Sequence, residues 1–237
     1  WEDGAFVAYA TSAFRAPSLE ELYNYGPHVG NLAFEIGNSS LRGERSNGFE
    51  FSLRHAGERV RAEGSWFYYH ISDFVFGAPS GEVKDGLFVL DYEQGNSRFT
   101  GAELGLDFGL NRFLWLNTGL DLVEAELTGE GTPLPRIPPL RGRLGLDFRW
   151  GGLSVSPEAV LAARQDRIFA TENETAGYAL ANLKAAYTLP RLGSVHHFAF
   201  EVFNLGDALY RNHVSFIKEL APEIGRGVRF SWAVKFF

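Results

Sequence analysis

Hydrophobic and polar residues alternate along most of this chain with a period of two. From Ala102 to Leu110 one parity reads Ala102, Leu104, Leu106, Phe108 and Leu110, and the other reads Glu103, Gly105, Asp107 and Gly109. Further on, Leu140, Leu144, Leu146, Phe148 and Trp150 oppose Arg141, Arg143, Gly145, Asp147 and Arg149. Successive side chains of an extended strand point to opposite sides, so each stretch predicts a strand with one apolar and one polar face. The same alternation predicts ten strands, at about 4–14, 45–56, 59–76, 86–110, 112–128, 139–150, 152–168, 177–188, 194–204 and 227–237. The first is the weakest, because both its parities are partly apolar. Pro157 inside the seventh predicts a local break in pairing or a bulge, since proline brings no N–H to the ladder. A helical stripe is expected only at Ser18 to Tyr23, where Ser18 can cap and Glu21, three residues on, completes a capping box. The predicted fold class is all-β.

The connections separate a sandwich from a barrel. Short ones at Gly57-Glu58, Asn111-Arg112, Gly151-Gly152 and Pro190 to Gly193 take turns with long ones at about 15–44, 77–85, 129–138, 169–176 and 205–226. In an up-and-down meander this places every tight turn at one end and every long loop at the other. Outer-membrane barrels have that asymmetry, with short periplasmic turns and long outer loops. An immunoglobulin-type sandwich would need shorter strands and Greek-key crossings. The expectation is an antiparallel transmembrane barrel wall in the outer membrane of a Gram-negative-type bacterium, its long loops extracellular. Aromatic residues on the apolar parity near segment ends (Trp66, Tyr68, Trp150, Tyr187, Trp232, Phe236) suit interfacial girdles, although aromatics are frequent in strands generally.

Composition narrows the chemistry. The 237 residues include no cysteine, which removes disulfides, thiolate metal sites and cysteine nucleophiles. A net charge of −7 lacks the basic surplus that nucleic acid demands. No apolar run approaches the length of a membrane-spanning helix, which leaves spanning β-strands untouched. Methionine is absent and the chain opens on Trp1, so a processed chain or a portion of a longer one is expected.

Three stretches carry more than periodicity: Ser12-Ala13-Phe14-Arg15-Ala16-Pro17-Ser18 with Glu20-Glu21-Leu22-Tyr23; Phe34-Glu35-Ile36-Gly37-Asn38 with Leu41, Glu44 and Ser46; and Phe203-Asn204-Leu205-Gly206-Asp207 with Tyr210-Arg211. In this order they resemble the carboxy-terminal barrel motifs of TonB-dependent outer-membrane receptors, over nearly the whole chain. The resemblance implies a barrel of about 22 strands around a plug, of which residues 1–237 would be the C-terminal portion. The plug, the remaining strands and the contact with the inner-membrane TonB complex would then lie outside this chain. The terminal strand, with Trp232, Phe236 and Phe237, resembles the signal for outer-membrane insertion, although its apolar parity ends at Phe236. Tyr25-Gly26-Pro27-His28, Leu134-Pro135-Arg136-Ile137-Pro138-Pro139-Leu140-Arg141 and Tyr210-Arg211-Asn212-His213 with Ser215-Phe216 and Lys218 resemble, more specifically, the zinc-uptake receptors, also connected with haem. Zn²⁺ or haem would be transported substrate; no catalytic cofactor and no catalytic residue is expected.

Candidate ligands follow. His28, after Pro27 on a long outer loop with Tyr23, Tyr25 and Glu35 near in sequence, suits Zn²⁺, which takes nitrogen and oxygen ligands. The other reading of His28 is an exposed loop histidine. Glu35 is a second candidate ligand, or an anchor for its loop. His213, beside Tyr210 and Arg211, could line an entry path or bind haem iron, against a hydrogen-bonded structural role. The doublet His196-His197 cannot chelate one ion, because adjacent strand residues point opposite ways. Arg141, Arg143 and Arg149 form an inward basic ladder with Asp107, Asp121 and Asp147 as possible partners, beside inward Gly105, Gly109, Gly119 and Gly145; a solvated wall is the alternative. The prolines of 133–139 predict a rigid loop.

Two other functions compete. A small ten-strand barrel could be a protease-like enzyme built on Asp166, Glu172, Asp207 and His213, but no dyad spacing and no GxSxG, HExxH or P-loop pattern is present. A part-barrel could instead act structurally, pairing its two sheet edges with another chain.

Overall fold

A computed structural model describes residues 3–237. Its elements are β1 (Gly4–Arg15), α1 (Leu19–Tyr23), β2 (Tyr25–His28), β3 (Ala33–Ile36), β4 (Glu44–Ala56), β5 (Val60–Lys84), β6 (Leu87–Gly109), β7 (Leu114–Leu127), β8 (Thr132–Pro133), β9 (Arg141–Trp150), β10 (Leu153–Ala162), β11 (Tyr178–Arg191), β12 (Ser194–Phe203) and β13 (Gly227–Phe236). Ten long strands form one antiparallel meander in the order β1-β4-β5-β6-β7-β9-β10-β11-β12-β13. The path begins at β1 and ends at β13 without joining them, so among the described residues the sheet is an open wall.

Register puts the alternating residues in rows. Leu53, Gly64, Leu104, Leu120, Gly142 and Leu161 lie opposite one another across six strands. The next row, Arg54, Glu63, Gly105, Gly119, Arg143 and Val160, belongs to the other face. The apolar face is uncovered: Leu104 is 56% exposed, Leu144 51% and Leu146 38%. A compact folded chain of 26.4 kDa would expose about 10,600 Å²; this one exposes 14,621 Å². The wall is one layer thick, and a two-layer sandwich is ruled out.

Pro157 acts as expected. Pairing between β10 and β9 skips from Val155–Phe148 to Glu158–Gly145 without losing register, while the β11 side stays continuous. The capping box also forms, with the Glu21 N–H donating to Ser18 Oγ and the Ser18 N–H donating to the Glu21 carboxylate at 2.7 Å.

Two expectations need correction. The connection at 77–85 is mostly strand: β5 and β6 run on as a long ribbon closed by a two-residue turn, Asp85-Gly86, with φ of 51° and 78°. Asp-Gly is the sequence that two left-handed positions favour, but the nearby Gly77, Pro79 and Gly81 disguise the strand as a loop. The seventh segment ends at Ala162, and 163–168 leave the sheet for the long connection that follows.

A bulge between Ile71 and Phe74, with Asp73 at φ 55°, shifts the register of β5 by one residue. Phe74, Phe76 and Ala78 thereby come to the polar side of the wall, where Ala125 already points. Phe76, Ala78, Ala125 and Leu134 form a small buried core there, flanked by Phe74, Phe99, Leu127, Ile137 and Phe169. The long connections 128–140 and 163–177 therefore fold over the polar side of the strands. The first long connection holds the hairpin β2–β3, whose second strand pairs in parallel with β6 rather than with its chain neighbour β4.

Candidate functional site

The hairpin β2–β3 brings His28 and Glu35 together. Antiparallel pairing sets His28 opposite Ala33 and Gly26 opposite Glu35, so the two side chains share a face. Tyr25 lies on the other face, edge-on to Phe34 at 5.3 Å, with the Lys84 ammonium over both rings. Gly37 fixes the hairpin against α1: its N–H donates to the Asn24 carbonyl at 2.7 Å, and a Cβ would stand 2.6 Å from the Tyr23 nitrogen.

Glu35 is buried, at 3% exposure, and its carboxylate is fully engaged. Asn31 donates to it at 2.5 Å, His28 Nδ1 lies 2.9 Å away, and Asn24 donates at 3.0 Å. Burial pushes the carboxyl up, but the bonds from Asn31, His28 and Asn24 together outweigh it and hold Glu35 below the ordinary carboxylate range. Tyr92 is pushed up to about 12, first by burial and then by the Glu35 charge. An ionised carboxylate only accepts, so His28 Nδ1 is the donor in this bond and Nε2 is the ring nitrogen not engaged by Glu35. The His28 ring is 57% exposed. A carboxylate behind Nδ1 is the arrangement that orients metal-binding imidazoles. Among the described residues no group of three or more His, Cys, Asp or Glu converges to hold a metal ion.

His213 sits elsewhere, and closed. Its ring is almost wholly buried, hydrogen-bonded through Nδ1 to Thr175 Oγ1 at 3.0 Å. The Lys218 ammonium stands 3.4 Å from both ring nitrogens, where it repels any approaching cation. Lys218 in turn pairs with buried Glu172 at 3.0 Å, and Glu172 takes two hydrogen bonds of 3.1 Å from the backbone N–H of Arg136. Burial raises the Glu172 carboxyl, yet His213, Lys218 and the Arg136 N–H prevail and bring it down to about 2. This buried cluster ties the connections 128–140, 163–177 and 204–226 into one unit. The Asp207 carboxylate accepts from the Arg226 N–H at 2.8 Å and so closes a turn in its own loop.

The basic ladder lies on the polar face. Arg141 pairs with Asp121 at 2.7 Å and Arg149 with Asp147 at 2.6 Å. Asp107 accepts instead from Asn117 at 2.8 Å. Arg143 lies across Gly119, where a Cβ would come 2.4 Å from its Nε. On the apolar face, Trp232 stacks on Phe198 at 6.0 Å and donates to His196 Nδ1 at 3.2 Å, while Phe236 pairs with Ser194 at the end of the last strand. Phe237 follows that strand, its N–H donating to the Gly193 carbonyl at 3.2 Å.

Asn24, Asn31 and the Glu172–Lys218 pair escape sequence reasoning. Asn24 precedes the hairpin and Asn31 sits in its turn, so both look like turn residues, and Glu172 meets Lys218 from 46 positions away.

An open antiparallel wall with an exposed apolar face, a polar inner face and long connections at one end is the build of a large membrane barrel. The family model for TonB-dependent receptor-like β-barrels matches residues 3–205, and the chain belongs to that family. Among solved structures, the copper transporter OprC superposes with a TM-score of 0.83 at 23% identity, over 98% of this chain and 37% of that one. The ferric enterobactin receptor PfeA of Pseudomonas aeruginosa gives 0.70 at 18%, over 100% and 38%. The iron transporter FrpB of Neisseria meningitidis gives 0.71 at 18%, over 100% and 37%. At these identities the likeness is one of fold, and the chain spans under two-fifths of the length of these structures.

Proposed function

We propose that this chain is the C-terminal barrel portion of a TonB-dependent outer-membrane receptor that takes up a scarce metal ion or metal complex, with His28 as a ligand on the outer side. The uncovered apolar face supports a bilayer setting. On β7 it runs from Leu114 to Leu122, a length close to the roughly 9–11 residues a tilted strand needs to cross, and then gives way to Glu124 and Glu126, which pair with Arg167 and Arg98. The free edges of β1 and β13 support completion of the barrel by further strands, with a plug inside and the TonB complex as its energy source.

The observation that carries the metal reading is the couple of an exposed His28 ring and a buried, ionised Glu35. Imidazole with its second nitrogen tied to a carboxylate suits zinc or copper, and the same nitrogen can ligate haem iron. Remaining ligands would come from the plug and other loops. Glu35 then positions His28 and does not touch the ion. The test is Zn²⁺ and Cu²⁺ titration of the full-length receptor in detergent or vesicles. His28→Ala is expected to weaken binding of at least one ion by about tenfold or more, and Glu35→Gln by about tenfold. Unchanged affinity for both ions in His28→Ala would remove His28 from the site.

A further inference from the structure

The apolar face ends differently towards the two ends of the strands. Towards the long connections it gives way to Glu124 and Glu126, which pair with Arg167 and Arg98. Towards the tight turns of β9 to β13 it stays free of acid: residues 148–155, 187–197 and 232–237 contain Arg149, Arg191 and Lys235 and no carboxylate. The excess is local, because the whole chain has a net charge of −7. Arg149 turns to the polar face and pairs with Asp147. Arg191 is exposed, and among the described residues no carboxylate stands within ion-pair distance of it; Glu201 of the neighbouring β12 is taken by Lys184 and Arg229.

Register shows what Arg191 adjoins. Tyr187, Phe198 and Trp232 form one row across β11, β12 and β13; Leu189, His196 and Val234 form the second beyond it on the same face, and Arg191, Ser194 and Phe236 the last. Phe198, Trp232 and His196 stack with near-parallel planes, their centroids 5.9 to 6.3 Å apart, and Ser194 Oγ lies 3.3 Å from His196 Nε2. A fully exposed Leu192 follows Arg191 in the turn. An aromatic strip therefore runs down the apolar face and ends on one unpaired guanidinium, which offers five donors in a planar fork. Tryptophan and tyrosine settle at the level of lipid headgroups. An arginine at the end of such a strip keeps its stem on hydrocarbon and its head in the polar layer.

We propose that this strip is a seat for one anionic glycerophospholipid, an acyl chain lying along Tyr187, Phe198 and Trp232 and the phosphodiester held in the Arg191 fork. The proposal rests on the bilayer setting of the apolar face and goes beyond it, because it selects a headgroup. The occupant must be apolar along two rows of the strip and anionic at its end. A phospholipid meets both demands, whereas a free phosphate lacks the apolar body and an acidic peptide has no reason to follow a face that meets hydrocarbon. A zwitterionic lipid brings its own cation beside the phosphate, which the guanidinium repels; phosphatidylglycerol does not, so it is the lipid the seat prefers.

The experiment titrates the full-length receptor in detergent with phosphatidylglycerol and with phosphatidylcholine of the same chains, and reads the lipids retained by native mass spectrometry. The wild type is expected to hold phosphatidylglycerol more tightly than phosphatidylcholine. Arg191→Gln should weaken the tightest phosphatidylglycerol by about fivefold and leave phosphatidylcholine unchanged. Arg191→Lys should fall between, because the charge remains but the fork does not. Arg45→Gln, which removes an exposed cation near the long connections, should behave as the wild type. Glycerol phosphate, the anion without chains, should not compete. The proposal is overturned if the wild type holds the two lipids alike, if Arg191→Gln holds phosphatidylglycerol as the wild type does, if Arg45→Gln loses as much, or if glycerol phosphate displaces the lipid. Equal retention of the two lipids would discard the headgroup seat and leave the membrane-spanning wall standing, whereas retention of neither would count against both.

Discussion

Glu172 shows how one carboxylate can organise three connections. It is buried against Lys218 and His213 and accepts the backbone N–H of Arg136, so its charge is worth more folded than unfolded. The sign follows from its lowered value. A group brought from 4.5 down to about 2 contributes its full stabilisation above about pH 4.5 and loses it as pH falls towards 2. A nitroxide at Asn173→Cys is therefore expected to be immobile at neutral pH and mobile near pH 3. Glu172→Gln leaves Lys218 buried without its counter-charge, which should weaken loop docking by about 3 kcal/mol and make the label mobile at both pH values. A label that stays immobile in Glu172→Gln would show that the loops are held by their apolar core alone.

For the strands, the alternation decides nearly everything. Residues two apart share an environment and neighbours do not, so Leu144→Arg and Arg143→Leu should differ sharply. The first places a charge on the apolar face and is expected to cost about 2–4 kcal/mol in refolding titrations into lipid, depending on depth. The second removes a cation from the polar face and should cost far less. Equal effects would mean that the two faces are not distinct. The same periodicity explains why all ten long strands were legible from sequence, along with the Ser18–Glu21 capping box and the break at Pro157. What sequence hid was local geometry with distant causes. The hairpin β2–β3 is only two four-residue strands, too short for a period to register, and it is held by parallel pairing to β6. The bulge at Asp73 reverses the parity of β5 partway along, so Phe74 and Phe76 point inward, against the pattern below them. At the candidate site, His28 and Glu35 were visible as a chemical pair. Their bond depended on a hairpin register that only the fold supplies, and the closed setting of His213 depended on Lys218 and Glu172.

As a whole, the described residues form a wall with two free edges, β1 and β13, whose long connections are drawn together on its polar side. The polar face carries paired charges such as Arg141–Asp121 and Arg149–Asp147, suited to water or a packed protein domain. The opposite face carries leucines and phenylalanines that no part of this chain covers. Everything proposed about uptake depends on that face meeting hydrocarbon. This chain has no cysteine of its own, so single nitroxide labels can be placed along β6 of the receptor reconstituted in lipid vesicles. Labels at Leu104→Cys, Leu106→Cys and Phe108→Cys are expected to relax with oxygen dissolved in lipid and to ignore a water-soluble nickel chelate. Those at Glu103→Cys, Gly105→Cys and Asp107→Cys should not show that preference. Equal accessibility of the two sets, or the reverse order, would contradict a membrane-spanning wall.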